Sequence, residues 1–175
     1  RTVQLPTGDS SESQPSLTTL RSLLIDYLDT NGFPYDGRTT VASIYIQDLT
    51  TGEELNMLGD VAFSAASTMK VPILLNFYRW LDREPTQDEA FIMANSLLCS
   101  RNSSSNLLME FTGDGNVLSG VAKVTETAQY LGARNTFISA KFVEGVVGEQ
   151  FGAIAAPPTS PNPNFDTGAD PFNQT

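Results

Sequence analysis

The sequence contains no histidine and a single cysteine, Cys99. Without an imidazole there can be no Ser-His-Asp triad and no Cys-His pair. Zinc sites built from His and Cys are excluded for the same reason. One cysteine allows no internal disulfide and leaves the redox compartment open. Basic residues are scarce: ten Lys and Arg stand against twenty Asp and Glu, a net charge of −10. A field of that sign repels a phosphate backbone and an anionic membrane surface, so nucleic acid is not an expected partner. No apolar run is long enough to span a bilayer. There is no glycine-rich phosphate loop and no internal repeat.

What remains is ordinary for a globular chain. The 175 residues, 40% of them hydrophobic, suffice for one domain with a real core. Residues 1–16, RTVQLPTGDSSESQPS, are polar and aperiodic and read as a flexible tether. They resemble a trimmed exported start, so an extracytoplasmic location (secreted, periplasmic or cell-surface) is expected. Residues 17–175 are read as one domain, with 146–175 a long loop rich in Gly, Pro and Asn.

Along that domain, Leu17, Leu20, Leu23, Leu24, Tyr27 and Leu28 have helical spacing, with Ser16 as a cap and Asn31-Gly32 and Pro34 as a stop. Val41 and Ile44 to Ile46 predict a strand. Thr51-Gly52 predicts a turn, and a return strand from Leu55 ends near Phe63. A helix over about 67–82 is followed by a second over 87–99, with Thr86 as its N-cap and acids in its first turn. SRNSSSN breaks that helix. NLLMEFTG and NVLSGVAKVTETAQYLGA then read as helices and NTFIS as a short strand.

The stretch FSAASTMKVPILLNFYRWLD places Ser67 three residues before Lys70, at a strand-to-helix junction. Residues at i and i+3 share a helix face. A serine hydroxyl is a poor nucleophile until a base takes its proton. With no histidine in the chain, lysine is a candidate base, since burial destabilises its charged form. Met69, Val71, Pro72, Ile73, Leu74 and Leu75 supply apolar surroundings. Free N–H groups at the junction can face a developing oxyanion. The plainer reading is a helix cap beside a lysine that reaches solvent. Serine is roughly one residue in eleven, so three lysines produce one such spacing by accident in about one chain in four. Ser119 and Lys123 are spaced one residue too far apart and lie on an amphipathic helix.

The helix from Lys70 to Arg83 climbs and the one from Gln87 to Ser100 returns, each residue rising about 1.5 Å. A short turn favours antiparallel neighbours. CSRNSSSN should therefore come back to the level of Ser67, bringing Ser100 and Asn102 within reach of the Ser–Lys pair.

These segments resemble the penicillin-interacting serine hydrolases, the class A β-lactamases and penicillin-binding proteins, with their S-x-x-K, S-D-N and K-T-G set. FSAASTMKVPILL is similar to the nucleophile segment and SRNSSSNLLMEFTG to the second motif, and the resemblance spans about residues 17–175. It implies an α+β fold, an antiparallel sheet with a helical subdomain. The activity implied is acyl-enzyme formation at an amide, in a β-lactam or a cell-wall peptide, with no cofactor. Ser67 would be the nucleophile and Lys70 its general base. Ser100 would relay a proton to the leaving nitrogen. Asn102 would hold substrate and Lys70, and Asn106 matches a structural asparagine that follows the second motif and is placed with Asn102 in the substrate-binding set. Arg101 replaces the aspartate of the class A motif, the Ser67-to-Ser100 interval is shorter than in typical class A enzymes, and no K-T-G occurs. The chain is therefore expected to be the N-terminal portion of a longer domain that lacks the C-terminal strands, with that remainder, as a separate chain, a possible partner beside a small-molecule or peptidoglycan-type substrate.

For the deacylating base, Glu144 is the best-placed glutamate, although Gly148 stands where an asparagine is expected; Asp170 is the second candidate. FDTGA at 165–169, the carboxylates Glu110, Asp114 and Glu126, and Cys99, expected to be small and buried, carry plainer readings as loop, solvated acids and core. The rival to an enzyme is a non-catalytic secreted binding or scaffolding domain on the same fold.

Overall fold

In the computed structural model the described residues are 16–33, 35, 42–59, 61, 63–143, 153–154 and 173–174. They fall into two units, divided between residues 59 and 60. The first holds α1 (Leu17–Thr30) and the hairpin of β1 (Ile44–Gln47) and β2 (Glu54–Met57). Ser16 caps α1 by accepting from the Thr19 N–H, and Gly32 ends it in a left-handed turn at φ +78°. Leu17, Leu20, Leu24 and Leu28 form its half-buried stripe, while Leu23 and Tyr27, expected on the same face, are exposed.

The hairpin pairs Ile44 with Met57 and Ile46 with Leu55, so its four apolar side chains share one face. Asp48 holds the turn, its carboxylate accepting from the N–H groups of Thr50 and Thr51. The return strand ends at Met57, well short of Phe63. There Leu58 adopts φ +55°, and the Asn56 side chain accepts from the Gly59 N–H, closing a turn in place of the next ladder rung.

The second unit is built on α2 (Lys70–Trp80), which a short 3-10 helix, Ala66–Met69, leads into. Pro72 lies in its first turn, where the missing N–H has no acceptor to lose. Ile73 and Phe77, one turn apart, are fully buried against Leu108 and Met109 of α4 (Asn102–Thr112) and Val121 and Val124 of α5 (Val117–Tyr130). Each such side chain contributes roughly 1.5–3 kcal/mol through burial. α3 (Gln87–Leu97) adds Met93 to this core and opens with a capping box: Thr86 accepts from Glu89 N–H while the Glu89 carboxylate accepts from Thr86 N–H.

The break between α3 and α4 is shorter than the serine-rich sequence predicts. Only Leu98 to Arg101 leave the helix, and Ser103, Ser104 and Ser105 sit in the first turn of α4. Ser105 is helical, its hydroxyl donating back to Arg101 O at 3.0 Å and pairing with Ser96 Oγ at 2.9 Å in the core.

α4 and α5 meet backbone to backbone at Gly120, where a Cβ would lie 1.7 Å from Met109 O. β3 (Phe137–Ile138) pairs antiparallel with β4 (Asn173–Gln174), and Ala140 bridges Ala153. Those four positions of the expected 146–175 loop segment and its neighbour are thus in or beside β pairing; the rest of that segment lies outside the described residues, as do residues 1–15 of the expected tether. Among the described residues, five α-helices and two antiparallel two-stranded pairs make the fold α+β.

Candidate active site

Ser67 lies in the 3-10 turn directly ahead of α2, and Lys70 is the first residue of α2. The two side chains meet: Lys70 Nζ donates to Ser67 Oγ at 3.0 Å. Ser67 is exposed, whereas Lys70 is only 2% exposed. α2 and α3, eleven residues each, run out and back and bring the chain to Lys70 again. Lys70 Nζ donates to Ser100 Oγ at 2.9 Å, to Ser100 O at 2.7 Å and to Asn102 Oδ1 at 3.0 Å. Ser100 Oγ in turn donates to Ser67 Oγ at 3.0 Å, closing a triangle of Ser67, Lys70 and Ser100.

Four oxygens thus surround an ammonium that has three N–H groups, so one bond is shared. None of the four is a carboxylate. Among the described residues the ion pairs are Arg83 with Glu89 and Lys123 with Asp114, and Lys70 is in neither. Burial without a countercharge holds the Lys70 amine below its ordinary 10.5. A neutral amine in this position has a lone pair for the Ser67 proton.

Two of the four non-glycine residues with positive φ among the described residues lie beside these groups. Ala66, the residue before Ser67, adopts φ +42°, and Ser100 adopts φ +52°. Left-handed backbone disfavours a residue with a Cβ by about 1–2 kcal/mol. At Ser100 it turns the carbonyl and the hydroxyl of one residue onto the same amine. Such outliers persist where the surrounding structure over-determines them.

Asn102 and Asn106 lie one turn apart on α4 and both reach the segment after β3. Asn102 Nδ2 donates to Val143 O at 3.0 Å, leaving one of its N–H groups for another acceptor. Asn106, 6% exposed, donates to Phe142 O and accepts from Phe142 N, both at 2.9 Å. Its amide is thus tied to this backbone. The ring of Phe142 comes to 4.9 Å from Lys70 Nζ. No signal in the sequence pointed to Phe142 or Val143, since the link is a backbone contact some forty residues away.

The other sequence candidates fall elsewhere. Cys99, expected to be buried, is exposed, because the chain has already left α3 and is turning toward Ser100. Lys123 donates to Thr112 O at 2.6 Å and pairs with Asp114, so it caps the end of α4. Glu110 and Glu126 are exposed. Glu144, Gly148, Asp170 and residues 165–169 lie outside the described residues. Among the described residues no group of His, Cys, Asp and Glu could hold a metal ion, and no helix is long and apolar enough to cross a membrane.

Residues 34–93 match the family model described as the beta-lactamase enzyme family. This stretch takes in Ser67 and Lys70 and ends before Ser100. The match covers 60 of the 175 residues and supports a likeness to the superfamily of β-lactamases and penicillin-binding serine hydrolases, and with it a serine hydrolase-like function in general. No curated protein and no solved structure gives a significant match to the chain.

Proposed function

We propose that this protein is a serine hydrolase that forms an acyl-enzyme at an amide, in a β-lactam or a cell-wall peptide, outside the cytoplasm. The observation that carries the reading is Lys70: an almost fully buried amine with no carboxylate partner among the described residues, 3.0 Å from Ser67 Oγ and 2.9 Å from Ser100 Oγ. Neutral Lys70 takes the Ser67 proton as Oγ adds to the amide carbon. The Ser67 N–H, in the first turn of a helix where amides lack an internal acceptor, donates to the developing oxyanion. When the C–N bond breaks, the proton on Lys70 passes through Ser100 Oγ to the leaving nitrogen. The acyl group stays on Ser67 as an ester, and Lys70 is neutral again. Asn102 orients Lys70 through Oδ1, and its remaining N–H is available to a substrate carbonyl. Asn106 acts through the backbone it holds.

Intact mass spectrometry with a penicillin tests this. Wild type should gain the mass of one penicilloyl group and Ser67→Ala should gain none. Equal labelling of both, or neither a wild-type adduct nor penicillin hydrolysis, would overturn it.

A further inference from the structure

We infer that the cleft between the later turns of α2 and α5 binds a small aromatic carboxylate carrying one negative charge. The cleft lies apart from the acyl-transfer groups, so the inference does not depend on that reading. It starts from a polar residue where the helix pattern calls for an apolar one. Ile73 and Phe77 carry the buried stripe of α2, and Asn76 beside them is only 5% exposed. The Thr127 hydroxyl donates to Asn76 Oδ1 at 2.9 Å and accepts from Arg79 Nη1 at 3.0 Å. At the other end of the amide, Asn76 Nδ2 is buried with no hydrogen-bond partner among the described residues. A donor left in that state carries its full desolvation cost, and such groups are rare in folded proteins. Asn76 lines an open cleft of about 520 Å³, a size that suits a small molecule. A bound acceptor accounts for both the cleft and the donor.

The other walls set the kind of acceptor. Arg79 and Lys123 bring two positive charges and Glu126 one negative, a local balance of +1 in a chain of −10. One negative charge matches that balance, and Glu126 opposes a second, as on phosphate. The Arg79 guanidinium lies over the Tyr130 ring, 4.2 Å from its centroid. Stacked there and bonded to Thr127, it is held as a planar fork, the shape that grips a carboxylate through two parallel N–H bonds. Trp80 and Tyr130 add exposed rings, one from each helix, as apolar surface for a flat ligand body. None of these side chains enters the hydrogen bonds around Lys70, which lies more than two turns before Arg79 on α2.

Trp80 is the one tryptophan in the chain, so its emission reports on the cleft directly. The test is a titration of the full chain with benzoate, read by tryptophan emission and by calorimetry. Wild type and Ser67→Ala should give the same saturable response. Arg79→Gln and Asn76→Leu should each weaken it at least ~10-fold, the scale of one hydrogen bond to a charged group. Benzyl alcohol, which keeps the ring, and inorganic phosphate, which keeps the charge, should each bind wild type at least ~10-fold more weakly than benzoate. That ligand series decides the matter even where a variant fails to fold. No saturable response to benzoate by either method overturns the inference and leaves the cleft to water. Equal affinity for benzyl alcohol or phosphate also overturns it, as does an unchanged response in either folded cleft variant. Loss of the response in Ser67→Ala does so too, by moving the ligand to the acyl-transfer groups. Failure of penicillin to label Ser67 removes the acyl-transfer reading and leaves this inference standing.

Discussion

Lys70 is the one charged side chain buried among the described residues, and its environment offers dipoles in place of a countercharge. The ring of Phe142 favours the ammonium, yet burial is the dominant influence and the amine is held below 10.5. Two consequences share a sign. Between the lowered value and 10.5 the unfolded chain binds more protons than the folded one, so raising pH through that window stabilises the fold. The neutral amine is also the reactive form. The rate of adduct formation should climb with pH to a midpoint below 10.5 and vanish in Lys70→Met, as a stopped-time mass series across pH would read. The Ser67–Lys70 spacing was visible in the sequence because i and i+3 lie on one helical turn. The four-acceptor shell was legible only in part, since the Ser100 carbonyl reaches Lys70 through a left-handed backbone that no residue type announces.

At the scale of elements, close packing of α4 on α5 depends on one hydrogen atom. A Cβ on Gly120 would meet the carbonyl, Cα and carbonyl carbon of Met109, all backbone, so no side chain can swing aside. Gly120→Ala should destabilise the fold by ~3 kcal/mol, the upper range for overpacking, measured by denaturant unfolding. The start of α3 is held by charge as well as by caps. Two hydrogen bonds of 2.8 Å from Arg83, joined by the Thr86 N–H, lower the Glu89 carboxyl from 4.5 to about 2. A depressed carboxyl contributes stability above 4.5 that is lost as pH falls toward 2. Glu89→Gln should therefore lower the melting temperature at neutral pH and converge with wild type in acid. The capping position was legible at Thr86 because caps are local. The true start of α4 was not. Its serines read as a break, whereas they lie in the first turn of the helix, with Ser105 paired to Ser96 in the core.

At the scale of the whole molecule, the charge of −10 and a pI near 4.2 act over a longer range than any contact described above. The chain should show no retardation of duplex DNA in a gel-shift series, even at low salt where nonspecific binding is strongest. The same surface suits a neutral or positively charged partner. Ser67, Lys70, Ser100, Asn102 and Asn106 all belong to the unit that starts at residue 60.

By itself the sequence determined the helices, their caps and turns, the Ser67–Lys70 pair and the exclusion of histidine chemistry. All of these depend on neighbours within a turn or two, where periodicity and hydrogen-bonding side chains act directly. The return of Ser100 and Asn102 followed from element lengths, an argument one step removed. Only the tertiary structure decided that β3 pairs with residues 173–174, that the hairpin stops at Met57, and that Phe142 faces Lys70. The first and last of those outcomes are set by hydrogen bonds to the backbone across long stretches of chain, and the hairpin stop by the local turn at Asn56 to Gly59. A backbone N–H or C=O is the same on nearly every residue, so the sequence does not mark which of them will be taken.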